Sequence, residues 1–158
     1  MKNYKPIIIV AGEPNSIFLE IFFKSLKFKE YKSPLILICS KKLLLNQMKK
    51  FRFKKKINLI DPLEVHKIKI RNDKINLIDV KLNMSSSLKK ISKYSQSYIK
   101  KCFDIAFIII KKGSSNKLIN GPISKTKFLN KKYLGMTEYP HVKFKNLGES
   151  YKNNTHAE

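Results

Sequence analysis

Apolar positions fall along this chain in two kinds of run. Ile7–Val10, Pro34–Cys39 and Ile57–Ile60 are short apolar runs that predict strands, and the unbroken branched run Ile7–Val10 suits a strand buried on both faces. Between them, Ile17–Phe28 repeats apolar residues at helical spacing, and Ile17, Ile21, Phe22 and Leu26 form its predicted inward stripe. Ser40 is placed to cap a second helix running to about Phe51. The turn Gly12-Glu13-Pro14-Asn15-Ser16 follows the first strand, and Asp61-Pro62 closes the third. The resulting β-α-β-α-β order predicts a parallel sheet joined by right-handed crossovers.

The pattern then changes. Val65–Ile70 and Lys74–Val80 alternate apolar and polar residues around Asn72-Asp73, which predicts a hairpin with one wet face. Ser85–Ser87 offer caps to a long helix reaching about Lys112. Its inner face would be Leu88, Ile91, Tyr94 or Ser95, Tyr98, Cys102, Ile105 and Ile109. Phe107–Ile110 taken alone has the look of a strand, but the helical period carried in from Leu88 places it in the helix. Gly113-Ser114-Ser115-Asn116 ends that helix.

The stretch Leu118–Tyr139 has the most distinctive punctuation. A short apolar run ends in Asn120-Gly121-Pro122, Ser124 can cap a following helix, and Gly135 opens a second turn into Met136-Thr137-Glu138. Gly121 admits backbone angles closed to other residues, and Pro122 fixes the chain direction. A turn of this kind at the carboxyl end of a strand is a usual ligand position in open α/β sheets. Pro140–Glu158 shows no sustained period and reads as a poorly ordered tail or the opening of a further unit.

Composition narrows the class. With 158 residues, 42% of them hydrophobic, the chain can bury a core, and no apolar run approaches the roughly 18 residues of a membrane span. Cys39 and Cys102 lie in apolar surroundings without metal-ligand spacing, as expected of buried thiols in a reducing, cytoplasmic compartment. The formal net charge of +23 raises nucleic acid as a partner. Only Arg52 and Arg71 among the 34 basic residues are arginines, however, and the lysines are spread along the whole chain. That spread favours a solvated lysine-rich surface over a dedicated nucleic-acid face.

Few residues are placed for chemistry. His66 alternates with apolar neighbours as a surface strand residue would, His141 follows a proline in the tail, and His156 lies near the end. They form no metal-binding spacing. The Gly12–Ser16 turn lacks the repeated glycines and the Gly-Lys-Ser/Thr ending of phosphate loops. Glu13 and Glu20 are candidate bases, with Glu20 expected on a helix surface. Lys125, just past the Gly-Pro turn, is placed to meet an anionic ligand.

Together these stretches resemble the 4-hydroxythreonine-4-phosphate dehydrogenase family of pyridoxal phosphate (vitamin B6) biosynthesis. IIIVAGEPNSIFLEIFFKSL is similar to that family's first strand, Gly-Asp/Glu-Pro turn and helix. LINGPISK is similar to its Ile-Thr-Gly-Pro-x-x-Lys turn, and GMTEY to its Gly-His-Thr-Glu-Tyr/Phe motif. The resemblance covers roughly residues 5 to 139.

The resemblance implies an NAD-dependent oxidoreductase that oxidises and decarboxylates 4-phosphohydroxy-L-threonine. It implies a three-layer α/β/α subunit like isocitrate and isopropylmalate dehydrogenases, a homodimer, and a divalent metal (Zn, Mg or Co) held by histidines. Thr137, Met136 and Lys125 are the implied contacts to a small phosphorylated substrate, with Met136 standing where the family has histidine. A methionine thioether cannot supply that histidine's hydrogen bonds. The family is about twice as long, so the expectation is an incomplete first lobe over 1–135, with 136–158 as the start of a second lobe or an aberrant tail. The chain alone is then expected to bind neither NAD nor metal and to be inactive. Two other classes remain open: a non-enzymatic α/β module that binds a phosphometabolite, and a basic nucleic-acid-associated protein.

Overall fold

The first strand is the axis of the sheet. In the computed structural model, which describes residues 4–82 and 93–124, β1 (Ile7–Val10) pairs with β2 (Leu35–Cys39) on one side and β5 (Lys117–Asn120) on the other. Beyond β2 lie β4 (Ile75–Asp79) and then β3 (Ile57–Leu59), giving the order β3-β4-β2-β1-β5 with every pair parallel. Ile8 sits opposite Ile36 and Leu118, and Ile38 opposite Ile78. Three helices complete the described elements: α1 (Phe18–Phe28), α2 (Lys41–Lys50) and α3 (Lys93–Lys111). All of them lie in one unit, Met1–Pro122; a second unit is Ile123–Glu158.

Side-chain alternation explains why helices flank the sheet. Ile9, Leu35, Leu37, Cys39, Ile75 and Leu77 join Leu19, Phe22 and Phe23 of α1 and Leu43, Leu44 and Met48 of α2 in one apolar cluster. The intervening positions Ile8, Val10, Ile36, Ile38 and Ile78 are equally buried. They face the other way, where α3 lies over β1 and β2 and buries Ile99, Phe103, Ala106 and Phe107. A strand dry on both faces has little room for polar residues, which is why β1 and β2 read as continuous apolar runs. This first unit thus has the expected three-layer α/β/α form.

Termini of the helices follow local rules. Ser40 Oγ accepts a hydrogen bond from Leu43 N at 3.3 Å, capping α2. Gly113 ends α3 in the left-handed region, with φ +77°. The Ser85–Ser87 caps and the first turns expected of that helix, with Leu88 and Ile91, lie outside the described residues.

Three expectations need correction. Val65–Ile70 forms turns and bends, and no hairpin is present; Ile75–Asp79 is an interior parallel strand. The alternation there misleads because Asn76, a polar position, is not wet. It is 2% exposed, donating to Leu35 O (3.0 Å) and Arg71 O (2.8 Å) and accepting from Asn58 (3.1 Å). Asn72 is no hairpin tip either. Its side chain accepts from Leu35 N and donates to Tyr31 O and Ser33 O, fastening the α1–β2 loop. In α1 the inward stripe is turned: Ile17 and Ile21 are exposed, while Leu19, Phe22 and Phe23 are buried. Apolar residues cover more than half of this helix's circumference, with Glu20, Lys24 and Lys27 on the remaining face, so apolar spacing alone leaves its phase open. In α3, Ile105 is only half-buried, and Phe103 and Phe107 fill the core instead.

Candidate functional site

β2, β4 and β3 lie to one side of β1, and β5 lies to the other. The sheet order therefore reverses between β1 and β5, and the carboxyl ends of these two strands form the crevice in which open α/β sheets bind ligands. The two glycine turns singled out in the sequence meet there. Gly121 N donates to Val10 O (2.8 Å), continuing the ladder past β5, and Glu13 N donates to Pro122 O (2.9 Å), tying the turns to each other. Asn120 Nδ2 donates to Gly121 O at 3.0 Å.

Both glycines are required by this contact, for different reasons. Gly12 has φ +77°, and a Cβ there would lie 2.5 Å from Pro122 O. Gly121 does not have a left-handed backbone, so the conformational reason inferred from sequence does not hold. Its need is space: a Cβ would collide with the Ala11 carbonyl and come 2.8 Å from Phe18 Cγ. Two chain segments far apart in sequence thus touch main chain to main chain.

Further along the same rim, Asp79 at the end of β4 accepts from Lys41 N at 2.7 Å, adding a carboxylate to the start of α2 beside the Ser40 cap. Ser40 N donates to Tyr98 Oη at 2.8 Å, and the Tyr98 hydroxyl in turn bonds Cys102. Burial is the main cause that pushes this trio up. The Tyr98 phenol lies well above its usual range, raised further by Cys102 and Cys39. Cys102 is pushed up to about 12 by burial, against the opposing Tyr98 hydrogen bond. Cys39 is raised by burial and then by Cys102 and Asp79. Both cysteines are free, buried thiols, as the sequence implied, and protonated sulfurs of this kind are poor nucleophiles.

The structure places only part of the predicted site. Glu13 is half-buried on the β1 turn at the crevice. Glu20 lies on α1 in an ion pair with Lys24 (2.7 Å). His66 is exposed, in the turn region after β3. Lys125, Met136 and Thr137, with His141 and His156, lie outside the described residues. Among the described residues, no three His, Cys, Asp or Glu side chains converge so as to hold a metal ion, and none of the helices is long and apolar enough to cross a membrane. Sequence reasoning singled out Gly12-Glu13-Pro14 and Gly121-Pro122 separately and missed that they interlock; the shared glycine-before-proline punctuation was the available signal.

No protein-family model matches the sequence, and no curated protein matches it. Solved structures do. The chain is similar to a 4-hydroxythreonine-4-phosphate dehydrogenase from Burkholderia phymatum, with a TM-score of 0.71 and 20% identity over 87% of this chain and 42% of that one. It is likewise similar to a 4-hydroxythreonine-4-phosphate dehydrogenase from Klebsiella pneumoniae, with a TM-score of 0.66 and 21% identity over 85% of this chain and 42% of that one. The chain thus shares their fold while spanning less than half their length.

Proposed function

We propose that this chain forms part of the first lobe of an NAD-dependent dehydrogenase acting on 4-phosphohydroxy-L-threonine in vitamin B6 synthesis. The observation that carries the reading is the interlock of the Gly12 and Gly121-Pro122 turns at the sheet's switch point. The same two turns carry the sequence resemblance, and the fold is shared with enzymes of that name.

In this reading the crevice holds the substrate. The turn pair closes the carboxyl end of β5, and Lys125, which matches the lysine of the family's Gly-Pro-x-x-Lys turn, is the residue assigned to the substrate phosphate. The Thr137 hydroxyl hydrogen-bonds the substrate. Met136 contributes contact area without a proton to give or take. In the enzyme as a whole, bound NAD would accept the hydride and a divalent metal would polarise the substrate's oxygens. The described residues provide no ligand set for that metal, and the homodimer that the resemblance implies belongs to the same proposal.

Binding is the direct test. Calorimetry with 4-phosphohydroxy-L-threonine should give saturable heat, and substrate at 100 times Kd should stabilise the fold by about 2.7 kcal/mol. Thr137→Val should weaken binding about tenfold, the equivalent of about 1.4 kcal/mol for a hydrogen bond lost. Failure of substrate to do better than inorganic phosphate would sink the proposal.

A further inference from the structure

At the opposite rim, where the strands begin, the chain gathers cations that substrate binding at the carboxyl ends does not use. Lys49-Lys50-Phe51-Arg52-Phe53-Lys54-Lys55-Lys56 holds six cations in eight residues, and no acidic residue occurs between Glu30 and Asp61. The fold packs this segment on the end of α1. Phe23 and Phe53 stack with ring centres 4.6 Å apart and planes 13° from parallel, and Lys27 Nζ lies 5.9 Å from the Phe53 centroid. Lys29 and Lys55 line one cleft of about 400 Å³ with Tyr31 and Asn72, which Glu30 and Asp73 also line.

Two details set this rim apart from a merely solvated lysine surface. Phe28, flanked by Lys27 and Lys29, is 84% exposed, which is costly for a phenyl ring without a partner. Arg52, with φ +50°, closes α2 in a Schellman cap, with Phe53 N donating to Met48 O (2.9 Å) and Arg52 N to Lys49 O (3.2 Å), and this cap sets one of the chain's two arginines in the middle of the cluster. The charges are also available. Lys24, Lys67 and Lys100 form ion pairs, whereas Lys27, Lys29, Lys50, Arg52, Lys54 and Lys55 form none among the described residues.

We infer that this rim binds single-stranded nucleic acid, with Phe28 stacking on a base and the flanking cations meeting successive phosphates. Cations spread over two segments around an exposed ring suit an extended polyanion with flat apolar groups, which is how sequence-tolerant single-strand binders work. A small phosphate would instead need converging donors. The Lys49–Lys56 run is dense in the sequence itself, and the fold adds the lysines at the end of α1 to it.

Fluorescence anisotropy with labelled 12-nucleotide oligo(U) and oligo(dT) tests this on the full chain. The tighter of the two identifies RNA or DNA as the natural ligand, and a duplex of equal length should bind more weakly than either. Lys54→Gln/Lys55→Gln/Lys56→Gln should lower the slope of log affinity against log salt by about 2, at about 0.7 per phosphate contact. Phe28→Ala, a change at an exposed position, should weaken binding about tenfold through lost stacking. A control that removes the same charge from α3 and its end, Lys101→Gln/Lys111→Gln/Lys112→Gln, should leave both quantities near wild type. The inference is overturned by no binding, by equal loss in the control, or by wild-type affinity of Phe28→Ala. Binding to phosphatidylserine vesicles in place of oligonucleotides would overturn it too, in favour of a membrane surface.

Discussion

Replacing Gly121 with alanine would drive a methyl group into the Ala11 carbonyl and the Phe18 ring. Neither neighbour can yield cheaply. Ala11 is fixed by its hydrogen bond to Ile38 O (3.3 Å), and β5 can retreat only by giving up Gly121 N to Val10 O and Glu13 N to Pro122 O. Those two bonds are each worth about 1 kcal/mol, and residual overpacking adds about 1–3 kcal/mol. The expected loss is therefore about 3 kcal/mol or more, and at about 4 °C per kcal/mol the melting temperature should fall by about 12 °C. Gly113→Ala is the matched control: it has φ +77° and nothing within 4 Å of an added Cβ. It should cost only the left-handed strain of about 1–2 kcal/mol. Gly12→Ala combines both faults and should be the worst of the three. Urea titrations followed by far-UV circular dichroism, with equal slopes across the set, give the ranking. If Gly121→Ala were no more destabilising than Gly113→Ala, the close contact between the two turns would be wrong, and with it the rigid crevice.

Two further outcomes can be checked in the same way. Asn76→Leu keeps the branching of the side chain but strands the Leu35 and Arg71 carbonyls and the Asn58 amide, and should cost about 2–4 kcal/mol in urea; an unchanged midpoint would show that Asn76 is not the buried bridge. Alkaline pH should destabilise the fold. Cys102 titrates near 12 when folded, above the ordinary 9.0, so the unfolded chain loses its proton first. Stability from this group is full below about pH 9 and falls as pH rises towards 12. Cys102→Ala should flatten that decline, and an unaltered pH profile would contradict the burial of the thiol.

Much of the architecture was legible because strands dry on both faces leave an unmistakable mark. Ile7–Val10 and Leu35–Cys39 have no other plausible home, and Ser40 announces its helix by chemistry that acts over three residues. What failed was inference from period alone where the surroundings decide. Asn76 alternates like a wet residue but sits inside, since its amide finds two carbonyls from distant loops. Ile17 and Ile21 keep helical spacing yet point outward, because Leu19, Phe22 and Phe23 offer the sheet a larger surface. At the crevice, the sequence marked both glycines but not their contact, which exists only after β5 has found β1.

The placement of β5 beside β1 has a consequence for synthesis on the ribosome. β1 and β2 can pair as soon as Cys39 emerges, but the other edge of β1 stays open until Lys117–Asn120 has been made, and α3, which covers Ile8 and Val10, is completed just before it. At about 5–20 residues per second, translating from Cys39 to Lys117 takes roughly 4–16 s. Throughout that interval the nascent chain presents a bare apolar strand with an unpaired edge, the arrangement that chaperones bind and that neighbouring nascent chains can extend.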